Sequence, residues 1–182
     1  LVCSLIQGSH VFYYSYAGLI WRSQGIGPGA IGMLWPLGVL AEIALFIASG
    51  AILKRIHASH LLAIGAAACA FRWSVMAFDP PMGLLAATQF LHGLTFAIPH
   101  LGAMHFILRA TPPRLSATAQ SLYSVFGTGL GSSLALIPAS LLFGTWGSHV
   151  YLLMSAMASG GFFLALILGA RWNGGQLTGE RA

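Results

Sequence analysis

From Ala30 to Leu53 the sequence stays apolar around one ionisable side chain, Glu42, at its midpoint. As a helix this stretch would be about 36 Å long, enough to cross a hydrocarbon core of about 30 Å. A charge at bilayer centre costs roughly 2.5 to 17 kcal/mol, so a carboxyl group there faces a polar interior, pairs with a partner or keeps its proton. The rest of the chain has to supply one of these three.

Only 6% of residues are charged while 57% are hydrophobic, and the mean hydropathy is +0.82. No soluble domain of 182 residues needs so apolar a composition to bury its core, so the chain reads as an integral membrane protein in contact with the lipid bilayer. A net charge of +5 can serve nucleic acid, but the basic residues sit in short clusters between apolar runs, without a basic stripe or interleaved aromatic patch. Nucleic acid is therefore not an expected partner. Cys3 and Cys69 lie inside apolar runs, which suits small core residues and gives neither a disulfide framework nor a metal-ligand spacing. No metal or cofactor is expected.

Six apolar runs divide the chain: Leu1 to Trp21, Ala30 to Leu53, Leu61 to Phe78, Met82 to Leu108, Ser116 to Phe143, and Val150 to Ala170. Their short separators are rich in Gly, Pro or charge, so the expected fold is an all-α membrane protein with six transmembrane helices. Lys54 and Arg55 follow the second run, Arg109 and Arg114 the fourth, and Arg171 and Arg181 the sixth, while Arg22 is the only cation in the opposite loops. By the positive-inside rule this multi-pass chain enters from the cytoplasm and has a cytoplasmic C-terminus. It opens directly in a hydrophobic run, without an initiator Met or a basic leader, which reads as a piece of a longer protein rather than a signal peptide.

Polar residues inside the runs fall on stripes. Gln7, His10 and Tyr14 share one helical face, with Tyr13 beside them; Trp35, Gly38, Glu42, Phe46 and Ser49 share another. Gln89, His92, Phe96 and Pro99 form a third, with His100 within about 80° of His92 and His105 pointing away. Gln120, Ser124, Gly127 and Gly131 form a fourth, a polar patch followed by a surface another backbone can approach. A lone intramembrane His or Gln is usually an interhelical hydrogen bond worth about 0.6 kcal/mol, and Arg72, about six residues from the end of its run, is placed to snorkel. An acid, an arginine and a histidine on three consecutive helices, in a chain nearly emptied of other charge, point instead to function. Pro36, Pro99 and Pro138 interrupt long helices, which lipid tolerates where neighbours satisfy the freed carbonyls.

Other six-helix classes fit poorly. A diheme cytochrome needs a second His pair to match His92 and His105, and an intramembrane serine protease needs an activated Ser, which Ser132 and Ser133 do not signal. A six-helix channel would show a filter motif or charged rings; it remains the alternative that helix number alone leaves open.

The segments Gly8-Ser-His-Val-Phe-Tyr-Tyr-Ser-Tyr, Trp21-Arg-Ser-Gln-Gly-Ile-Gly and Ile31-Gly-Met-Leu-Trp35-Pro-Leu-Gly-Val-Leu-Ala-Glu42-Ile resemble the start of the C-terminal half of a major facilitator transporter of the phenylpropionate-permease branch. Gln89-Phe-Leu-His92-Gly-Leu-Thr-Phe-Ala, with His100 downstream, resembles the tenth helix of that branch. The resemblance implies that residues 1–182 form one domain, helices seven to twelve of twelve, with an N-terminal half of the same transporter as partner. The branch is similar to the lactose-permease group, whose Glu, Arg and His on helices eight to ten fall at Glu42, Arg72 and His92. These imply a proton as coupling ion. The group places a second acid three residues after its histidine, where Thr95 stands in this sequence, so Glu42 becomes the candidate carrier. The loop after helix eight keeps Gly50 and the basic pair Lys54 and Arg55 but lacks the usual Asp.

The implied function is that of a permease rather than an enzyme: proton symport of a small organic substrate, an aromatic acid such as phenylpropionate, with sugar or nucleoside symport as the alternative. The implied location is a bacterial inner membrane. His10, Tyr14, Trp35, Gln89, Phe96, His100 and Gln120 are the candidate substrate-binding residues. The topology is open to cysteine-accessibility labelling: a cysteine in the Asp79 to Pro81 loop should react from the periplasmic side, and labelling from the cytoplasm would overturn the orientation.

Overall fold

The computed structural model describes residues 1–177, which form helices and turns without a strand; Arg181 lies outside the described residues. The helices are α1 (Val2–Gly8), α2 (Val11–Ser23), α3 (Pro28–Arg55), α4 (Ala58–Met76), α5 (Met82–His92), α6 (Ile98–Ala110), α7 (Ser116–Leu122), α8 (Gly131–Trp146) and α9 (Tyr151–Arg171). Among the described residues four stretches are long and apolar enough to cross a membrane: Pro28–Arg55, Ala58–Met76, Met82–Ala110 and Pro113–Arg171. The last, of 59 residues, would measure about 88 Å as one straight helix, almost three bilayer cores. It is divided at Gly147, whose φ of 52° only glycine adopts readily.

The first apolar run is not one helix. It breaks at Ser9 and His10, where Ser9 Oγ donates to the Ile6 carbonyl (2.6 Å) and His10 Nδ1 donates to the same oxygen (3.1 Å). Side-chain donors thus take over a carbonyl from the helix ladder, the usual way such residues interrupt a helix. Trp73 Nε1 donates to Ser9 Oγ at 2.9 Å and fixes the break against α4.

Two π-helical segments interrupt other columns, Gly93–Ala97 between α5 and α6 and Tyr123–Leu130 between α7 and α8. Pro99, in the first turn of α6, cannot donate to the Thr95 carbonyl one α-turn back. Cys69 Sγ on α4 donates to that oxygen instead, at 3.3 Å. Pro36 and Pro138 lie within continuous helices, and Gly50 and the basic pair belong to the last turns of α3 rather than to a loop.

The core lies around α4, which packs along α9 and α6 and buries Leu61, Leu62, Ala66, Cys69, Arg72 and Trp73. α3 is the opposite case: apolar throughout, it buries only Leu34 and Gly38 against the rest of the chain. Helices approach most closely at glycines. A Cβ on Gly131 would stand 2.8 Å from the Ser4 carbonyl and one on Gly8 2.9 Å from the Gly131 carbonyl, the small-residue contact expected of α8. A Cβ on Gly93 would stand 2.7 Å from the Ala41 carbonyl on α3, and one on Gly38 3.2 Å from the His92 side chain.

The Gly93 contact has no room to give, because its neighbour is backbone. Gly93→Ala should lower the stability of the detergent-solubilised protein by about 1–3 kcal/mol, read as a fall in Tm, while Gly83→Ala, where a Cβ meets open space, should leave Tm unchanged.

Candidate functional site

The π turn after α5, the break between α1 and α2, and the Gly38 and Gly93 contacts bring four polar segments together at one level. Arg72 of α4 stands at the centre with no exposed surface. Its Nη1 donates to Nδ1 of His92 (2.8 Å) and to Thr95 Oγ1 (3.2 Å), and its Nη2 donates to Gln89 Oε1 (3.0 Å). Tyr13 Oη donates to the same Gln89 oxygen at 2.7 Å, and the guanidinium carbon lies 4.7 Å from the Tyr13 ring centroid and 4.8 Å from that of Trp73. Two aromatic faces thus complement a charge that has no carboxylate in direct contact among the described residues.

Glu42 of α3 reaches the same group from the other side. Its Oε1 lies 3.1 Å from Nε2 of His92. Arginine only donates, so Nδ1 of His92 must be the accepting nitrogen, and the neutral ring carries its proton on Nε2. That proton faces Glu42 Oε1 and the Tyr14 oxygen, which lies 3.2 Å away. The order is therefore guanidinium, neutral imidazole, carboxyl group, with the imidazole relaying the pull of Arg72 to Glu42. His10 has the opposite tautomer: its Nδ1–H is held by the Ile6 carbonyl, leaving Nε2 to face Thr95 Oγ1 at 3.3 Å.

Two cavities open beside this chain. One of about 240 Å³ is walled by Tyr13, Tyr14, Trp35 and Phe96 and ends on Glu42 and His92. The other, of about 440 Å³, shares Tyr14 and Phe96 and continues past Phe46 to Gln7, His100, Tyr123 and the hydroxyls of Ser124, Thr128 and Ser132. His100 Nδ1 and Tyr123 Oη are hydrogen-bonded at 3.1 Å. Gln7 is buried, and neither atom of its amide has a protein partner among the described residues. A bare amide in an apolar interior costs about 1–3 kcal/mol.

Of the candidate residues, Glu42, Arg72, His92, His10 and Gln89 form one network; Tyr14, Trp35 and Phe96 wall the first cavity and His100 the second. Gln120 does not join them: it is exposed, donates to Ser116 Oγ at 3.2 Å and lines neither cavity. Arg72 does not snorkel but is wholly buried, since Gln89, His92 and Thr95 offer it acceptors nearer than the membrane surface. Nor does it line either of these two cavities, so an anion bound in them would not touch it directly. Tyr13 and Thr95 are additional members of the network. Tyr13 adjoins a sequence stripe, whereas Thr95 lies in a π turn that no helical wheel anticipates.

A sequence model described as the MFS_1 like family matches residues 1–156. Over 163 residues the chain is 32% identical to a "probable 3-phenylpropionic acid transporter" of Escherichia coli strain K12, a match that covers 90% of this chain and 42% of that one. It is 28% identical over 168 residues to a maltose permease of Geobacillus stearothermophilus, covering 92% and 43%, and 26% identical over 155 residues to the uncharacterized transporter YwbF of Bacillus subtilis strain 168, covering 85% and 39%. The chain thus spans about two fifths of the length of these relatives, which are transporters and not enzymes. No solved structure matches it significantly.

The tautomer follows from Arg72 and is directly measurable. In the ¹⁵N spectrum of histidine-labelled protein, His92 should be neutral with its proton on Nε2, and Arg72→Leu should remove that preference; a protonated Nδ1 in the unaltered protein would refute the order of donors along the network.

Proposed function

The chain belongs to the MFS_1 like family, and on that premise we propose that it is the C-terminal, six-helix half of a twelve-helix proton symporter. In this reading α1 with α2, α5 with α6, and α7 with α8 each make one crossing, which together with α3, α4 and α9 brings the crossings to six, and an N-terminal half closes the open face of the site. The coverage of the relatives supports this. The protein would sit in a bacterial inner membrane with the basic ends of α3, α6 and α9 in the cytoplasm.

The Arg72–His92–Glu42 order is the observation that carries the mechanism. With Glu42 ionised, its oxygen occupies the Nε2–H of His92 and its charge repels an anion. Protonation of Glu42 removes that charge and releases the Nε2–H, polarised from behind by Arg72, toward the cavity. A carboxylate substrate can then take the place of the Glu42 oxygen, with its ring between Tyr14, Trp35 and Phe96. Proton and anion enter together because each removes an obstacle to the other. The relatives are transporters, which favours this over a channel.

The aromatic walls favour an aromatic acid, in keeping with the phenylpropionic acid relative. The second cavity favours a different guest: the Gln7 amide, the His100–Tyr123 pair and three hydroxyls suit a neutral sugar, in keeping with the maltose permease. Binding of 3-phenylpropionate and maltose to the full-length protein separates the two, and saturable binding of maltose alone would discard the anion.

Glu42→Gln imitates the protonated acid. In vesicles holding the full-length protein it should abolish proton-driven accumulation while sparing exchange between substrate-loaded sides. Accumulation that survives Glu42→Gln and is lost in His92→Gln would assign the proton to His92 instead.

A further inference from the structure

The basic end of the helices holds a cavity unrelated to the buried chain of Glu42, His92 and Arg72. It measures about 320 Å³ and is lined by Lys54 and Arg55 at the end of α3, His57 and Ala58 at the start of α4, His105 and Arg109 on α6, and the segment after α9. Among the described residues no carboxylate lines it. Of the acids among the described residues, Glu42 bonds His92 and Asp79 accepts from Gln24 at 2.6 Å, far along the chain from this end. Like charges therefore share a concavity without a counter-charge from the described protein. The positive-inside bias explains cations at this end, but cations alone need no cavity.

The cavity is built. After α9 the chain turns back through Gly174, at φ 89°, and Leu177 N donates to the Ala110 carbonyl at 2.9 Å. Trp172 is buried as its wall, its Nε1 donating to the Gly175 carbonyl (2.7 Å) and its ring 4.6 Å from Phe106 and 4.8 Å from His57. Among the described residues no side chain caps the first-turn N–H groups of α4, which begins at this cavity, because His57 Nδ1 engages Ser59 Oγ at 2.9 Å. An uncapped helix start is itself an anion site.

We infer that this cavity binds a phosphate-bearing anion. Two guanidinium forks, an ammonium group and a helix start line the cavity from α3, α4 and α6, which suits the several oxygens of a phosphate better than one carboxylate. The volume equals that of about ten waters, so it takes a phosphate with a substituent, as on a phospholipid headgroup or a soluble phosphate ester. The site stands apart from the transport reading and can hold if that reading fails.

Delipidated full-length protein in detergent provides the test. Native mass spectrometry should count one tightly held phosphatidylglycerol and no comparable phosphatidylcholine. Arg55→Gln with Arg109→Gln should weaken that binding roughly 10- to 30-fold, while Arg114→Gln, whose cation does not line the cavity, should leave it unchanged. Lys54→Gln with Arg109→Gln serves equally if the first pair lowers Tm. Inorganic phosphate that displaces the lipid at matched chloride strength would identify a soluble ester as the guest, and failure to displace it the headgroup; both keep the anion site. Equal binding of phosphatidylcholine, or unchanged phosphatidylglycerol binding in both double variants, would overturn it.

Discussion

A guanidinium with no exposed surface at the centre of an apolar chain is the constraint on which the rest of the structure turns. A guanidinium stays charged in a protein interior, where a buried ammonium or carboxyl group can become neutral. The interior around Arg72 must therefore supply acceptors, and it does so with neutral ones: an amide oxygen, a hydroxyl, an imidazole nitrogen and two aromatic faces. A directly paired carboxylate would have neutralised Arg72 locally and left His92 indifferent to it. Placing the imidazole between them makes the charge of Arg72 felt at Glu42 without locking Glu42 to it.

The backbone departs from regular helix where this arrangement requires it. Ser9 and His10 break the first run where Trp73, packed on Arg72, needs an acceptor for its indole N–H. The π segment after His92 carries Thr95, whose hydroxyl meets both Arg72 and His10. Pro99 frees the Thr95 carbonyl, and the thiol of Cys69, one turn before Arg72 on α4, approaches it. Gly38 and Gly93 let α3 lie close enough for Glu42 to reach Nε2 of His92. Irregular backbone in a membrane interior persists where partners satisfy it, and in this chain the partners belong to the site.

Much of this could be read from residues, and the remainder fails for identifiable reasons. Length and hydropathy place α3, α4 and the α5–α6 column to within a turn or so, because in lipid the backbone has few alternatives to a helix. Glu42, Arg72 and His92 stood out because charge is scarce enough for each to be noticed. What periodicity could not supply was direction after a break. Carrying a regular helical wheel through Gly93–Ala97 mistakes the standing of Thr95, and carrying one through the Tyr123–Leu130 π segment gives no warning that Gln120 turns to Ser116 while Ser124, one turn on, lines a cavity. The burial of Arg72 was equally out of reach, since snorkelling and burial differ only in what neighbouring helices offer, and those neighbours lie far along the chain.

The distribution of burial adds a mechanical asymmetry. Every hydrogen-bond partner of Arg72 lies on α5 or the π turn that extends it, elements packed against the densely buried α4. Glu42 sits on α3, whose only buried residues in this chain are Leu34 and Gly38, and its own side chain retains 20% exposure against 8% for His92. Packed helices move by small shears more readily than they deform, and a slide of α3 by about an ångström past α5 would open the Glu42–His92 contact. The contacts of Arg72 would stay intact, because none of them involves α3. The Glu42–His92 contact is thus the one through which α3 joins the network of Arg72. If the proposed symport holds, that contact is where a change of access would be coupled to gain or loss of a proton, since widening it removes from Glu42 the Nε2–H that stabilises its carboxylate.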